Sequence, residues 1–398
     1  PMRIGFVGCG FTADHYVPSL KLYPELELAG ALDRDEKRAS EFCAFHSIKQ
    51  FPSLGAMLAD PSIEMIVNLT NSSSHFEVSK ACLEAGKHVY TEKPLSTTFA
   101  EAQTLVNLAE ANGLYFSSAP CILLGETAQT LWKALEKNEI GKVRVVYAEL
   151  EDGPFHLAEP HLWRSASGAE YDYRGEFEMG VTMEHAGYYL GWFTAFFGPA
   201  KSITGFASCL WPEKPISPQE TLHVTTPDFS VACITFESGV IARLTCSLVG
   251  PYNHTMKMVG DKGVLSVDEC WNFSSPVFLE KYSQLKFKID RYPISKSYPF
   301  LKHLASPRRT AVTPVRKSSL KKQQVRYRLD YVRGIADLAR AVAEKRSPRL
   351  PADYCLHVTE LALAMQNVSD KPYQLTTTFK PLKPMDDAEL KAMIPSTW

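Results

Sequence analysis

The sequence predicts an α/β chain in two parts. Residues 1–121 read as a doubly wound parallel sheet, and residues 122–398 as an α+β region built on a large, mainly antiparallel sheet. Three observations predict this. The chain opens as strand, glycine turn and helix; strands and helices then alternate to about residue 120; beyond Pro120 the runs turn β-rich. Length agrees, because 398 residues exceed what one hydrophobic core usually organises.

The opening "MRIGFVGCGFTADHYVPSL" carries Gly8, Gly10, Phe11, Thr12 and Ala13 in a G-x-G-x-x-A arrangement. Gly8 permits a tight turn. Gly10 lets backbone N–H groups approach a pyrophosphate at a helix N-terminus, and Ala13 is small enough for close helix–strand packing. The next strand, "LELAGALD", ends at Asp33, where a carboxylate accepts hydrogen bonds from adenosine ribose hydroxyls. Together these read as a dinucleotide-binding (Rossmann) half. Arg34 follows directly and is suited either to a 2′-phosphate or to solvent. Asp33 would repel that phosphate, so NAD is favoured over NADP.

The alternation continues through "MIVNLTNSSSH", "FEVSKACLEAGK", "HVYTEKPL", "TFAEAQTLVNLAEANG" and "LYFSSAP". Ligands of such sheets bind beyond the carboxyl ends of the strands. Thr70, Asn71, His75, Glu92, Lys93 and Pro94 all fall just past such ends. Asn71 and His75 are candidates for the cofactor's edge, with plain loop hydrogen bonding as the alternative. Lys93 is placed to face a substrate rather than only to decorate a turn.

After Pro120, "ETAQTLWKALEKNEIG" reads as a helix and "KVRVVYAELEDG" as a strand. Several alternating runs then follow, separated by Gly, Pro, Asp and Asn turns. Residues from about 281 to 328 form a basic, turn-rich insert, read as a solvated arm or interface loop, with an anionic-group site as the alternative. One apolar helix, "GVTMEHAGYYLGWFTAFFG", places Glu184 and Tyr188 on one face and His185 and Tyr189 about one hundred degrees round. Tyr189 reads as core packing.

Taken together, these segments resemble the glucose–fructose oxidoreductase, inositol dehydrogenase and rhizopine-catabolism oxidoreductases (the Gfo/Idh/MocA family). "GFVGCGFTA", "NLTNSSSH" and "EKP" are similar to its cofactor loop, nucleotide-flanking loop and signature turn; "LWRSASG", "MVGDKGVLSV" and "DYVRGIADLARAVAEKRSPRLPADYCLHVTEL" fit later stretches. The resemblance implies an NAD(P)-dependent enzyme oxidising or reducing a sugar, inositol or sugar-derived alcohol. It also implies that Lys93 contacts substrate and nicotinamide ribose, that the Lys93–Pro94 bond is cis, and that Trp163 and Arg164 face the substrate. It implies homodimers or homotetramers formed through the outer face of the sheet. Relatives usually carry Asp-x-Gly-x-His on the apolar helix. This chain departs from that pattern, with Glu184 at the Asp position and Tyr188 at the His position.

Hydride removal from an alcohol needs a proton acceptor. Tyr188 is the first candidate, its phenol, normally near pH 10, lowered by the Lys93 ammonium; His185, which titrates near neutrality, is the second. Two alternatives keep the fold: a tightly held cofactor cycling without net redox, and a non-enzymatic regulator that binds dinucleotide and sugar.

Composition narrows the remaining classes. The hydrophobic fraction of 45% and charged fraction of 22% are those of a soluble globular protein, and a net charge of −1 offers no global pull toward nucleic acid or a membrane. The nine cysteines are scattered and read as reduced thiols, and no His, Cys or Asp spacing around His156 or His161 suits a metal. No signal-peptide or membrane-spanning pattern is read, which predicts a cytoplasmic protein. Asn253 and His254 are minor candidates for the cleft.

Overall fold

The computed structural model describes residues 1–316 and 329–393. Five strands form the N-terminal sheet: β1 Met2–Val7, β2 Leu26–Leu32, β3 Met65–Asn68, β4 His88–Thr91 and β5 Phe116–Ser118. They run parallel in the order β2-β1-β3-β4-β5. The order reverses between β1 and β3, so the crevice at their carboxyl ends is where a doubly wound sheet takes its ligand.

Nearly continuous apolar strands follow from covering both faces. Met65 and Val67 join one core with Ile4, Phe6, Tyr16 and Phe42, while Ile66 joins the other with Val7, Val89, Leu105 and Phe116. The first core also takes Val332, Ile335, Leu338 and Ala339, from and just before helix Arg333–Glu344. The chain therefore returns late to cover a sheet formed by its first third. Arg333 fixes that return: fully buried, it pairs with Glu126 at 3.0 Å and with Asp330, to which Tyr23 donates. A division at residue 121 does not capture this crossing.

The remaining strands are β6 Val143–Glu151, β7 Ala200–Ser208, β8 Glu213–Ser217, β9 Glu220–His223, β10 Phe229–Phe236, β11 Ile241–Ser247, β12 Met256–Gly260, β13 Gly263–Val267, β14 Val277–Lys281, β15 Thr310–Ala311 and β16 Tyr373–Gln374. Nine form one sheet, in the order β15-β14-β13-β12-β6-β11-β10-β7-β16. Only β6 and β11 pair in parallel; the other pairs are antiparallel. β8 and β9 make a separate hairpin.

Alternation sorts the faces of the large sheet. Ser230, Ala232, Ile234 and Phe236 of β10 point into the core beneath helices Val181–Phe197 and Ala352–Gln366. Tyr147, Phe206, Ile241 and Tyr373 lie exposed. The basic insert is partly helical; its residues 317–328 lie outside the described ones. Among the described residues no helix is long and apolar enough to cross a membrane.

Candidate active site

A cleft of about 600 Å³ opens at the carboxyl ends of β1, β3 and β4 and faces the second region. Gly10, Thr70, His75, Lys93, Glu176 and Glu184 line it. Gly8 has φ +104°, and a Cβ there would stand 2.5 Å from the Leu69 carbonyl oxygen. Only glycine lets the loops after β1 and β3 approach so closely. At Gly10 a Cβ would meet nothing within 4 Å, so the space above this turn is open. Helix Ala13–Leu20 starts here, and no acceptor among the described residues takes the Phe11 or Thr12 amide. Open space over free N–H groups at a helix start is what a pyrophosphate requires.

Asp33 closes the other side of this turn, accepting from the Cys9 N–H at 2.8 Å and the Asp35 N–H at 2.9 Å. Arg34 points into solvent. Arg38, not anticipated from sequence, holds the loop instead: Nε donates to the Cys9 carbonyl at 3.0 Å, and Nη2 donates to Ser167 Oγ at 2.6 Å. Its signal was available, since Asp35 caps helix Glu36–His46 through the Arg38 N–H and so aims that first turn at the glycine loop.

The turn after β4 is locked from below. Tyr16 donates to Glu92 Oε1 at 2.5 Å, and the other Glu92 oxygen accepts from the Lys93 N–H at 3.1 Å. The Lys93–Pro94 peptide is cis. His75 ties this turn to its neighbour, with Nδ1 2.7 Å from the Pro94 carbonyl oxygen and Nε2 3.0 Å from that of Thr70. Both ring nitrogens are engaged by backbone. Asn68 accepts from the Thr70 hydroxyl at 2.7 Å, and Asn71 accepts from Ser73 at 3.1 Å. Lys93 itself reaches across to pair with Glu184 on the first turn of helix Val181–Phe197.

Residues 2–119 match the model of an oxidoreductase family with an NAD-binding Rossmann fold, and residues 128–266 match the GFO/IDH/MocA C-terminal domain. The chain belongs to the GFO/IDH/MocA oxidoreductase family. Within it, the chain is 29% identical over 276 residues to a trans-1,2-dihydrobenzene-1,2-diol dehydrogenase of Bos taurus, covering 68% of this chain and 76% of the relative. Two solved structures share the fold. The WlbA dehydrogenase of Bordetella pertussis, in complex with NADH and UDP-GlcNAcA, superposes with TM-score 0.69 at 17% identity, covering 94% of this chain and 97% of that one. KijD10, a 3-ketoreductase of Actinomadura kijaniata in complex with NADP and TDP-benzene, gives TM-score 0.67 at 19% identity, covering 93% and 98%.

Between Glu184 and Tyr188 on helix Val181–Phe197, His185 belongs to a chain of alternating acids and imidazoles. His185 Nδ1 lies 2.6 Å from Asp152, and its Nε2 lies 3.0 Å from Glu176. His254 continues the chain, 2.7 Å from Asp152 and 3.1 Å from Glu269. Burial disfavours the His185 cation, but the Glu176 and Asp152 carboxylates outweigh burial and raise its pKa to about 10. The expectation that His185 titrates near neutrality is thus corrected: it stands as an imidazolium between two carboxylates. Glu176, on the short helix Tyr173–Met179, was not singled out from sequence, because its contact with His185 forms only when two helices pack.

Tyr188 lies one turn beyond Glu184, buried and stacked on Trp271 with ring centroids 4.2 Å apart. Burial, joined by Glu92, Cys121, Glu176 and Glu184, pushes its phenol well above the usual value. The expected lowering by Lys93 does not occur, because Lys93 is engaged by Glu184 and carboxylates surround the ring. Tyr189 is fully buried.

Trp163 stacks beside Phe155 and Tyr171 and donates to the Ala158 carbonyl at 3.1 Å. Arg164 pairs with Glu170 at 2.8 Å in the open. The cleft wall on that side is formed by Glu170, Tyr171, Asp172 and Arg174. His156 is buried against Trp211, and Asn253 caps its own turn through Thr255.

Proposed function

We propose that the protein moves a hydride between a nicotinamide dinucleotide and a ring carbon bearing a hydroxyl or keto group, on a sugar, an inositol or a related cyclic alcohol. The observation that carries this reading is Lys93, held at the floor of the cleft between the glycine turn and Glu184. Names among the relatives agree in kind: one is a dehydrogenase of a cyclic trans-diol, and another protein of the same fold is held with UDP-GlcNAcA.

NAD(H), when bound, accepts or supplies the hydride. The Phe11 and Thr12 amides would hold its pyrophosphate. Asp33 takes the ribose hydroxyls and repels a 2′-phosphate, which favours NAD over NADP. Thr70 and Asn71 would hold the nicotinamide end, with His75 and Glu92 fixing their loops.

Lys93 orients the reacting oxygen and stabilises its developing negative charge. Glu184 receives the proton by relay: Lys93 passes one of its own protons to the carboxylate as it takes up the hydroxyl proton, and so remains a cation. Burial raises the Glu184 carboxyl pKa, Lys93 opposes this, and Glu176 adds to it; the net rise brings the carboxyl closer to working pH, as suits a proton acceptor. His185 keeps Glu176 ionised and in place. Tyr188 supports the helix against Trp271, with its hydroxyl as the second proton-carrying group.

Mass spectrometry of small molecules released on denaturation, with NADH and NADPH titrations, tests the cofactor half. A panel of sugars, inositols and cyclic trans-diols, run with wild type and Lys93→Ala, tests the rest. Failure to bind either nucleotide overturns the redox reading; wild-type turnover by Lys93→Ala overturns the mechanism. A cofactor that survives purification and never exchanges identifies the cycle without net redox. Within this reading the protein is a cytoplasmic homo-oligomer.

A further inference from the structure

The net charge of −1 conceals a local excess. Residues 281–316 contain nine Lys or Arg and one acid, Asp290. They form three short helices, Gln284–Ile289, Ile294–Ser297 and Pro299–Ala305, which leave the large sheet after β14 and return at β15. The third helix packs on the other two, and Lys302 pairs with Asp290 at 3.5 Å across the bundle.

This small bundle presents apolar groups to solvent. Among the described residues 17 large hydrophobic side chains are exposed, and eight of them lie between 282 and 304. Leu285, Phe287, Ile294, Tyr298 and Phe300 are more than half exposed, and Leu304 reaches 75%. Single exposed apolar residues need no explanation, but such a concentration does. Cations are interleaved with them: Lys286, Lys288, Arg291, Lys296 and Arg308 have no carboxylate partner among the described residues.

We propose that this helical insert is a docking arm that seats the protein on an anionic phospholipid surface. The pattern matches that chemistry on both counts. Aromatic and aliphatic tips enter the boundary between headgroups and acyl chains, while Lys and Arg meet lipid phosphates. A second copy meeting this face across a two-fold axis would set cations against cations. The exposed aromatics alone would also suit base stacking, but the aliphatic Leu285, Ile294 and Leu304 among them match acyl chains instead. The whole-chain charge shows no pull toward a membrane because it averages this arm with an acidic remainder. The helices lie on a bilayer rather than cross it, consistent with their length.

The test is co-sedimentation of the full chain with phosphatidylcholine vesicles, alone or with about 30 mol% phosphatidylglycerol, at low and at roughly 0.5 M salt. Binding is expected only to the anionic vesicles, and is expected to be lost at high salt. Phe300→Ser with Leu304→Ser should weaken it at least about 10-fold. Lys286→Glu with Lys288→Glu should weaken it by roughly 5-fold or more per lysine. All four side chains contribute little to the core, so unchanged melting curves control for folding. Equal pelleting with neutral vesicles overturns the proposal. So does wild-type protein that stays in the supernatant, a dimer that the Phe300/Leu304 variant dissolves, or displacement from vesicles by polynucleotide but not by salt.

Discussion

Lys93 and Glu184 are 91 residues apart in the chain and form an ion pair between the turn after β4 and the helix that supports the large sheet. Burial works against the Lys93 cation, but Glu184, Glu176 and Glu92 outweigh it and raise its pKa. The lysine is therefore held as a cation at the floor of the cleft by Glu184, the group proposed to take its proton.

Lys93→Ala should reduce kcat/KM by about 10²–10³, the usual consequence of removing one stabiliser of transition-state charge. Nucleotide affinity should change far less. Glu184→Gln should reduce turnover comparably while leaving Lys93 charged. Nicotinamide absorbance under saturating cofactor measures both, and a rate loss confined to nucleotide binding would contradict the assignment.

Tyr188→Phe should cost less than Glu184→Gln, because the phenol is pushed away from ionisation and its ring is stacked on Trp271. Turnover within about 10-fold of wild type is expected, since general acid–base groups contribute about 10²–10⁴ when they carry the proton. A loss as deep as that of Glu184→Gln would move the proton-carrying role to Tyr188.

His185 makes stability depend on pH at the alkaline end. Its pKa rises from 6.5 to about 10 on folding, so its contribution is complete below about 6.5 and disappears as pH climbs through 10. Asp152, held below the usual carboxylate range despite burial by His185 and His254, contributes with the opposite sign and fails on acidification. Melting temperatures of His185→Asn should therefore fall less steeply than wild type between pH 7 and 10. Nitrogen-15 spectra of the wild-type ring should show an imidazolium at pH 8. A neutral ring there would remove His185 from this role.

Gly8 and Gly10 should separate folding from binding. Gly8→Ala places a Cβ 2.5 Å from the Leu69 carbonyl at a left-handed φ and should lower the melting temperature. A Cβ at Gly10 meets nothing within 4 Å, so with Gly10→Val stability should stay within about 0.5 kcal/mol while NADH affinity drops at least 10-fold. Equal nucleotide binding by Gly10→Val would take the pyrophosphate away from this turn.

Much of the first region was legible because its signals are local. Gly8, Gly10 and Asp33 announce themselves by spacing, and the parallel strands by apolar runs between helices. The apolar helix was also readable, with Glu184 and Tyr188 on one face. Its neighbours were not: Trp271 reaches Tyr188 from 83 residues away, Asp152 reaches His185 from just past β6, and His254 in turn reaches Asp152. Nothing local marks Arg333, Asp330 and Glu126 as buried; only packing brings them together.

The sequence alone determined the dinucleotide-binding half, the family resemblance and a lysine just past the carboxyl end of β4, because turn chemistry and strand periodicity act over a few residues. Tertiary structure decided the protonation states: Glu176 against His185, Glu184 against Lys93, and carboxylates rather than a cation around Tyr188. The reason is physical. A pKa depends on burial and on charges within a few ångströms, and those distances exist only once residues remote in the chain have been brought together.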